Sequence, residues 1–246
     1  MPVIDLANPT RFLSIVNRVL PWLIAATLLL FVIGLYRAMN APDDYQQGAT
    51  VKIMFLHVPA AWLGMFGWGL MSVAALGTLV WRHPLADVAG KAAAPIGAAF
   101  TFICLVTGSL WGRPTWGTYW VWDARLTSML VLLLLYLGVL ALYWTAEEPS
   151  RGARAAAVLS LVGAVNLPII KFSVDWWNTL HQPASVFRMG GSTIAPALLT
   201  PLLIMTLAFT LLFLTLHLAV MRNEILRRRV RSMRLLQAQK LAEAGA

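Results

Sequence analysis

The chain has 246 residues, 59% of them hydrophobic and only 12% charged, with a formal net charge of +9 and a mean hydropathy of +0.73. That balance excludes an ordinary water-soluble globule and belongs to a chain solvated by lipid. Cys104 is the single cysteine, so no internal disulfide framework exists, and within an apolar run a lone thiol reads as a small core residue.

In chain order, six apolar runs have the length of about 20 residues that a hydrocarbon core of roughly 30 Å asks of a helix. They cover residues 20–36, 62–81 (reaching back toward His57), 92–110, 126–144, 155–170 and 196–220, the fifth being the shortest. None alternates with the period of two expected of barrel strands. The predicted class is all-α: a polytopic integral membrane protein forming one six-helix domain over residues 1–246. The first run exceeds a signal-peptide core and has no small-x-small cleavage site after it, so it reads as a retained helix. Small residues in the second and third runs (Gly64, Gly67, Gly69, Ala92, Ala93, Ala94, Gly97, Ala98, Ala99) predict close helix packing.

Lys and Arg set the orientation. One group of inter-helix segments, with both termini, carries thirteen of them, and seven of these lie in the tail from Arg222 to Lys240. The other group carries six. The positive-inside rule places the richer set, both termini and the basic tail 222–246 in the cytoplasm. The tail reads as a helix-end anchor facing anionic lipid rather than a nucleic-acid module. Three outward loops follow, at 37–56, 111–125 and 171–195. The third is expected to form a short interfacial helix between Ser173 and Leu180.

The chemistry concentrates outward. Residues 111–127, WGRPTWGTYWVWDARLT, hold four of the eleven tryptophans and Tyr119. An aromatic belt asks for one or two rings at a helix end. Trp111, Trp116, Trp120 and Trp122, with Gly112 and Gly117 between them, instead make a platform for a flat ligand, each indole keeping an N–H for a polar edge. Asp123 stands where an N-cap of the fourth helix belongs, with Arg125 in its first turn. His57 precedes Val58-Pro59, a sequence suited to a helix's first turn. His57 and His181 fall on the same predicted face on either side of the Trp segment. Two neutral imidazoles so placed would hold the iron of a porphyrin. His83 reads as an ordinary loop residue and His217 as a packed one. The sequence contains no phosphate-binding loop, paired-carboxylate pattern or Cys/His zinc pattern.

The 111–127 segment resembles the Trp-rich WWD signature of heme-handling membrane proteins. Six spans, the chain length and a histidine on each side of the signature are similar to the cytochrome c maturation protein C (heme exporter protein C) family, over nearly the whole chain. The resemblance implies System I cytochrome c biogenesis in a bacterial inner membrane, with heme b bound at the periplasmic face. His57 and His181 would be the axial iron ligands. Trp111, Gly112, Trp116, Gly117, Tyr119, Trp120, Trp122, Asp123 and Arg125 would form the cofactor-binding segment. It further implies delivery to a membrane-anchored heme chaperone (cytochrome c maturation protein E), a small single-helix subunit (protein D), and an ABC transporter (proteins A and B) that uses the ATP. The role is then delivery, not enzymatic catalysis. The nearest alternative, a bis-His membrane cytochrome b of electron transfer, would carry histidines toward both faces. A permease would place ionisable groups or broken helices at mid-membrane.

Overall fold

A computed structural model of the chain describes residues 8–183, 185–186 and 188–244. The remaining residues of the expected domain (1–7, 184, 187 and 245–246, the last two in the tail) lie outside the described residues. Among the described residues, seven helices and one 3-10 turn follow in order: α1 (Pro9–Met39), the turn (Ala49–Ile53), α2 (Met54–Leu79), α3 (Pro84–Trp116), α4 (Ala124–Thr145), α5 (Pro149–Gly163), α6 (Asn166–Trp176) and α7 (Pro196–Ala244). Six stretches are long and apolar enough to cross a membrane, with α5 and α6 together forming the fifth. The all-α, six-span architecture expected from the apolar runs is the one observed.

The fifth span is broken, and Pro168 explains the break. A proline ring clashes with the carbonyl four residues back and offers no N–H to it. That carbonyl belongs to Ala164, which accepts instead from Leu167 N at 3.1 Å, so the chain tightens locally between α5 and α6. Buried Asn166 fixes the joint by donating Nδ2 to the Ser128 carbonyl of α4 at 2.9 Å. The short helix expected at 173–180 is therefore corrected. Residues 173–176 complete α6, which ends at Trp176.

Two other segments are more helical than their polarity suggested. Trp111 to Trp116 form the last turns of α3 rather than loop, and Gly117 caps that helix in the left-handed region at φ 78°. The basic tail continues α7 to Ala244, giving 49 residues. At 1.5 Å per residue this rod spans about 73 Å, more than twice a hydrocarbon core.

The core lies where α2, α3, α4 and α7 meet, around the fully buried Leu63, Trp68, Met71, Leu132, Tyr136 and Phe213. Lipid offers no hydrophobic drive between helices, so close packing and interhelical hydrogen bonds hold them. Tyr136 Oη donates to the Gly64 carbonyl at 2.8 Å, and Trp68 Nε1 donates to Ser160 O at 3.0 Å. The expected small-residue packing is present at Gly64, Gly67 and Gly97, where an added Cβ would meet Thr101 or Tyr136. Gly69 departs from that expectation, since only Leu167 approaches it, at 4.0 Å. His217 packs as expected, buried and stacked on Phe213 with ring centroids 6.0 Å apart.

Gly97→Ala should therefore destabilise the protein by about 1–3 kcal/mol through overpacking against Tyr136. Gly69→Ala should be neutral or slightly stabilising, because Ala is the better helix former. Denaturant unfolding of both variants in one detergent tests the contrast. Equal effects would place the tight contact elsewhere.

Candidate functional site

His57 sits in the first turn of α2, as its neighbouring proline suggested, with the 3-10 turn leading into it. Its Nδ1 lies 3.1 Å from the Cys104 carbonyl and 3.1 Å from Thr107 Oγ1, both on α3. A carbonyl only accepts, so Nδ1 carries the proton. Thr107 Oγ1 donates to Ile103 O at 2.7 Å and keeps a lone pair for the imidazole. The lone pair of His57 therefore resides on Nε2. Gly108 makes the approach possible, because a Cβ there would stand 2.9 Å from His57 Cε1.

His181 reaches the same place from the loop after α6. Its Nδ1 lies 3.3 Å from Asp123 Oδ2, and a carboxylate at this position again fixes the proton on Nδ1 and the lone pair on Nε2. Asp123 is buried, and its other oxygen accepts from Leu126 N at 2.8 Å as the N-cap of α4. The expected cap is present, and the second contact gives the residue a further role. Burial pushes the His181 imidazole below its ordinary pKa; the Asp123 charge and hydrogen bond oppose that shift, and Arg125 adds to it. His181 is thus held neutral, the form a metal ligand requires.

Both histidines line one cavity of about 770 Å³, together with Met65, Trp116, Trp120 and Arg125. They also line an adjoining space of about 260 Å³ that includes Trp111 and Gly112. Sites of roughly 300–1,000 Å³ suit cofactor-sized ligands. Trp116 packs against His181 at 4.8 Å between ring centroids, and Trp111 against His57 at 5.7 Å. Each histidine thus has an indole beside it. Trp120 Nε1 is buried with no partner among the described residues. An orphaned N–H of this kind costs about 1–3 kcal/mol, and a ligand with an acceptor at its edge would remove that cost. Apolar walls, two imidazole lone pairs and an unpaired donor fit a metalloporphyrin.

The remaining sequence-predicted residues divide by position. Arg125 holds α4 to α6, donating Nε to Ser173 Oγ at 3.0 Å and Nη2 to the Ile170 and Lys171 carbonyls at 3.3 Å each. Gly117 lies outside both cavities and closes the α3 terminus. Tyr119 and Trp122 are exposed rather than cavity-lining, at 56% and 75%. Tyr119 lies under the Arg113 guanidinium, and Trp122 meets Trp120 edge to face. Sequence reasoning missed Gln47, which accepts from Trp111 Nε1 at 2.8 Å, and Thr107 and Gly108, which seat His57. The threonine and glycine are four and three residues before Trp111, a spacing that gave no signal by itself. His83 also has a structural task, accepting from Leu85 N as the cap of α3.

Comparison with known proteins decides the family. The model of the heme exporter protein C family matches residues 2–236. The chain belongs to the heme exporter protein C family. It is 74% identical to heme exporter protein C of Bradyrhizobium diazoefficiens, covering 100% of this chain and 95% of that one. The Escherichia coli protein of that name is 51% identical over 90% of each chain. That of Paracoccus denitrificans is 45% identical, covering 94% of this chain and 96% of the other.

Two Asp123 variants should separate charge from cap. Because its carboxylate raises the His181 pKa, Asp123→Asn should lower that pKa further, while retaining a side-chain cap. Asp123→Ala should also lose about 0.5–2 kcal/mol of helix capping. For an imidazole depressed on folding, the unfolded chain binds more protons, so stability falls as pH drops through its ordinary value near 6.5. Histidine ¹⁵N titration measures the first effect and thermal unfolding the second. A higher His181 midpoint in Asp123→Asn would remove Asp123 as its partner.

Proposed function

We propose that this protein binds heme b between His57 and His181 and delivers it for cytochrome c biogenesis. The observation that carries this reading is the pair of imidazoles lining one cavity, each with Nδ1 engaged and Nε2 left as the ligating nitrogen. Bis-imidazole ligation is a standard way of holding heme iron, and a hydrogen bond on the other ring nitrogen fixes ring orientation and raises ligand basicity. Relatives named heme exporter protein C support a part in heme export.

In this reading the chain binds, orients and releases, and the heme supplies the iron chemistry. Trp116 and Trp120 cover the porphyrin, with Trp111 and Gly112 shaping the adjoining space. Gly117 sets the turn into the loop, Asp123 steadies His181, and Arg125 keeps the α4 and α6 ends together. Tyr119 and Trp122, exposed on the rim, present the bound heme to the membrane-anchored chaperone, cytochrome c maturation protein E. The single-helix protein D and the ABC transporter formed by proteins A and B complete the assembly. The heme site faces the periplasm of a bacterial inner membrane, and the tail faces the cytoplasm in keeping with the positive-inside rule.

His57→Ala and His181→Ala should each abolish the low-spin, six-coordinate heme spectrum of the purified protein, whereas His83→Ala should keep it. Full heme content and an unchanged spectrum in both site variants would defeat the ligand assignment.

The rim and the cavity should also separate. Tyr119→Ala with Trp122→Ala should retain the heme spectrum but weaken co-purification of the chaperone. Trp116→Ala with Trp120→Ala should weaken heme retention, each ring contributing about 0.5–1.5 kcal/mol beyond area burial. A secreted-only reporter should be active after Gly117 and silent after Glu148; the reverse pattern would put the site on the wrong side of the membrane.

A further inference from the structure

On the face opposite the histidines, the ends of α2, α3, α4 and α5 and the middle of α7 enclose a further cavity of about 790 Å³. Its six cations, Arg82, Lys91, Arg154, Arg227, Arg228 and Arg231, outnumber the three carboxylates Asp87, Glu147 and Glu224. Glu224 is fully engaged: Lys91 lies 3.0 Å from it, Arg227 2.8 Å and Arg228 2.9 Å. Arg228 also pairs with Asp87. Arg82, Arg154 and Arg231 form no ion pair among the described residues, so a positive excess remains.

Three further observations indicate an anion at membrane depth. First, α5 begins at the cavity, where Pro149 lines it, and no side chain caps its N-terminus. Helix N-termini carry partial positive charge and unpaired N–H groups. Second, Arg82 has φ 49°, the one positive φ outside glycine among the described residues. The turn that closes by His83 N donating to Gly77 O at 3.0 Å would suit glycine there. An arginine accepts the strained backbone and sets a guanidinium at the cavity mouth. Third, Trp81 and Trp144 stand exposed beside the cavity ends of α2 and α4, at 71% and 77%. Such rings mark the headgroup level of a bilayer.

We infer that this cavity binds the headgroup of an anionic phospholipid of the phosphatidylglycerol class. Its phosphate meets Arg82, Arg154 and Arg231 and the N-terminus of α5. A glycerol headgroup also carries hydroxyl donors, and Asp87 Oδ1 is a buried acceptor with no partner among the described residues. Basic pockets between membrane helices take lipids of this kind. The bound lipid ties the start of α3 to the long α7 rod, adding to the Lys91–Glu224 and Asp87–Arg228 pairs.

The test is native mass spectrometry of the detergent-purified full chain with added phosphatidylglycerol or phosphatidylcholine. The wild type should retain phosphatidylglycerol about tenfold better, and Arg82→Gln/Arg154→Gln/Arg231→Gln should reduce that preference to below roughly threefold. Arg18→Gln/Arg234→Gln/Lys240→Gln removes equal charge from the same face outside this cavity and should keep the preference. Undiminished preference in the first variant, or equal loss in both, overturns the site. Displacement of the lipid by millimolar glycerol phosphate would overturn the lipid in favour of a soluble anion. Should the triple variant lack wild-type helicity, Arg154→Gln alone decides: an exposed side chain whose loss leaves the preference unchanged refutes the proposal.

Discussion

Asp123 joins the start of α4 to a loop distant in sequence. One carboxylate oxygen caps α4 and the other engages His181, 58 residues further on. Both contacts are made in a buried setting, where a carboxylate left without donors would be costly. The cap fixes where the Trp-rich segment ends, and the imidazole contact fixes where the loop after α6 returns. Arg125, two residues on, holds the same α4 terminus to the carbonyls of α6. Asp123 and Arg125 thus tie the start of α4 to the loop that carries His181 and to the end of the fifth span, on two sides of the cavity that the histidines line.

The two histidines are prepared in the same way by different means. His57 is held by a helix carbonyl and a hydroxyl, His181 by a carboxylate, and in both the bond falls on Nδ1. The difference has a chemical consequence. A carboxylate raises imidazole basicity more than a carbonyl does, so the two Nε2 atoms are inequivalent. An asymmetric pair suits a protein that must later release one side of a metal to a partner, in accord with the delivery role proposed above.

Charge divides the molecule along its length. The histidine face combines aromatic rings with a few cations, whereas the opposite face gathers Asp87, Lys91, Glu224, Arg227 and Arg228 into a network. Between them the helices meet through glycine and tyrosine contacts with little polarity. The two cavities thus lie toward opposite ends of α3, which lends Gly108 and Trp116 to one and Asp87 and Lys91 to the other.

Much of this was legible in the sequence because its cause is local. Apolar run length fixes the number of spans, since lipid leaves backbone groups no partner outside a helix. Asp123 before an apolar run is a cap signal, and Trp density with flanking histidines marks the site. What the tertiary structure decided were properties of more than one segment. Pro168 breaks the fifth span, and the Asn166–Ser128 bond, a contact between segments, sets the joint against α4. The Trp segment does not act as one platform: Trp116 and Trp120 line the cavity while Tyr119 and Trp122 face out, because six helical residues and a left-handed Gly117 rotate successive rings to different sides. Gly108 and Thr107 acquire meaning only beside His57, across a helix interface. Spacing along a chain encodes what one helix presents, whereas an interhelical contact depends on two faces whose rotation and depth are set by packing.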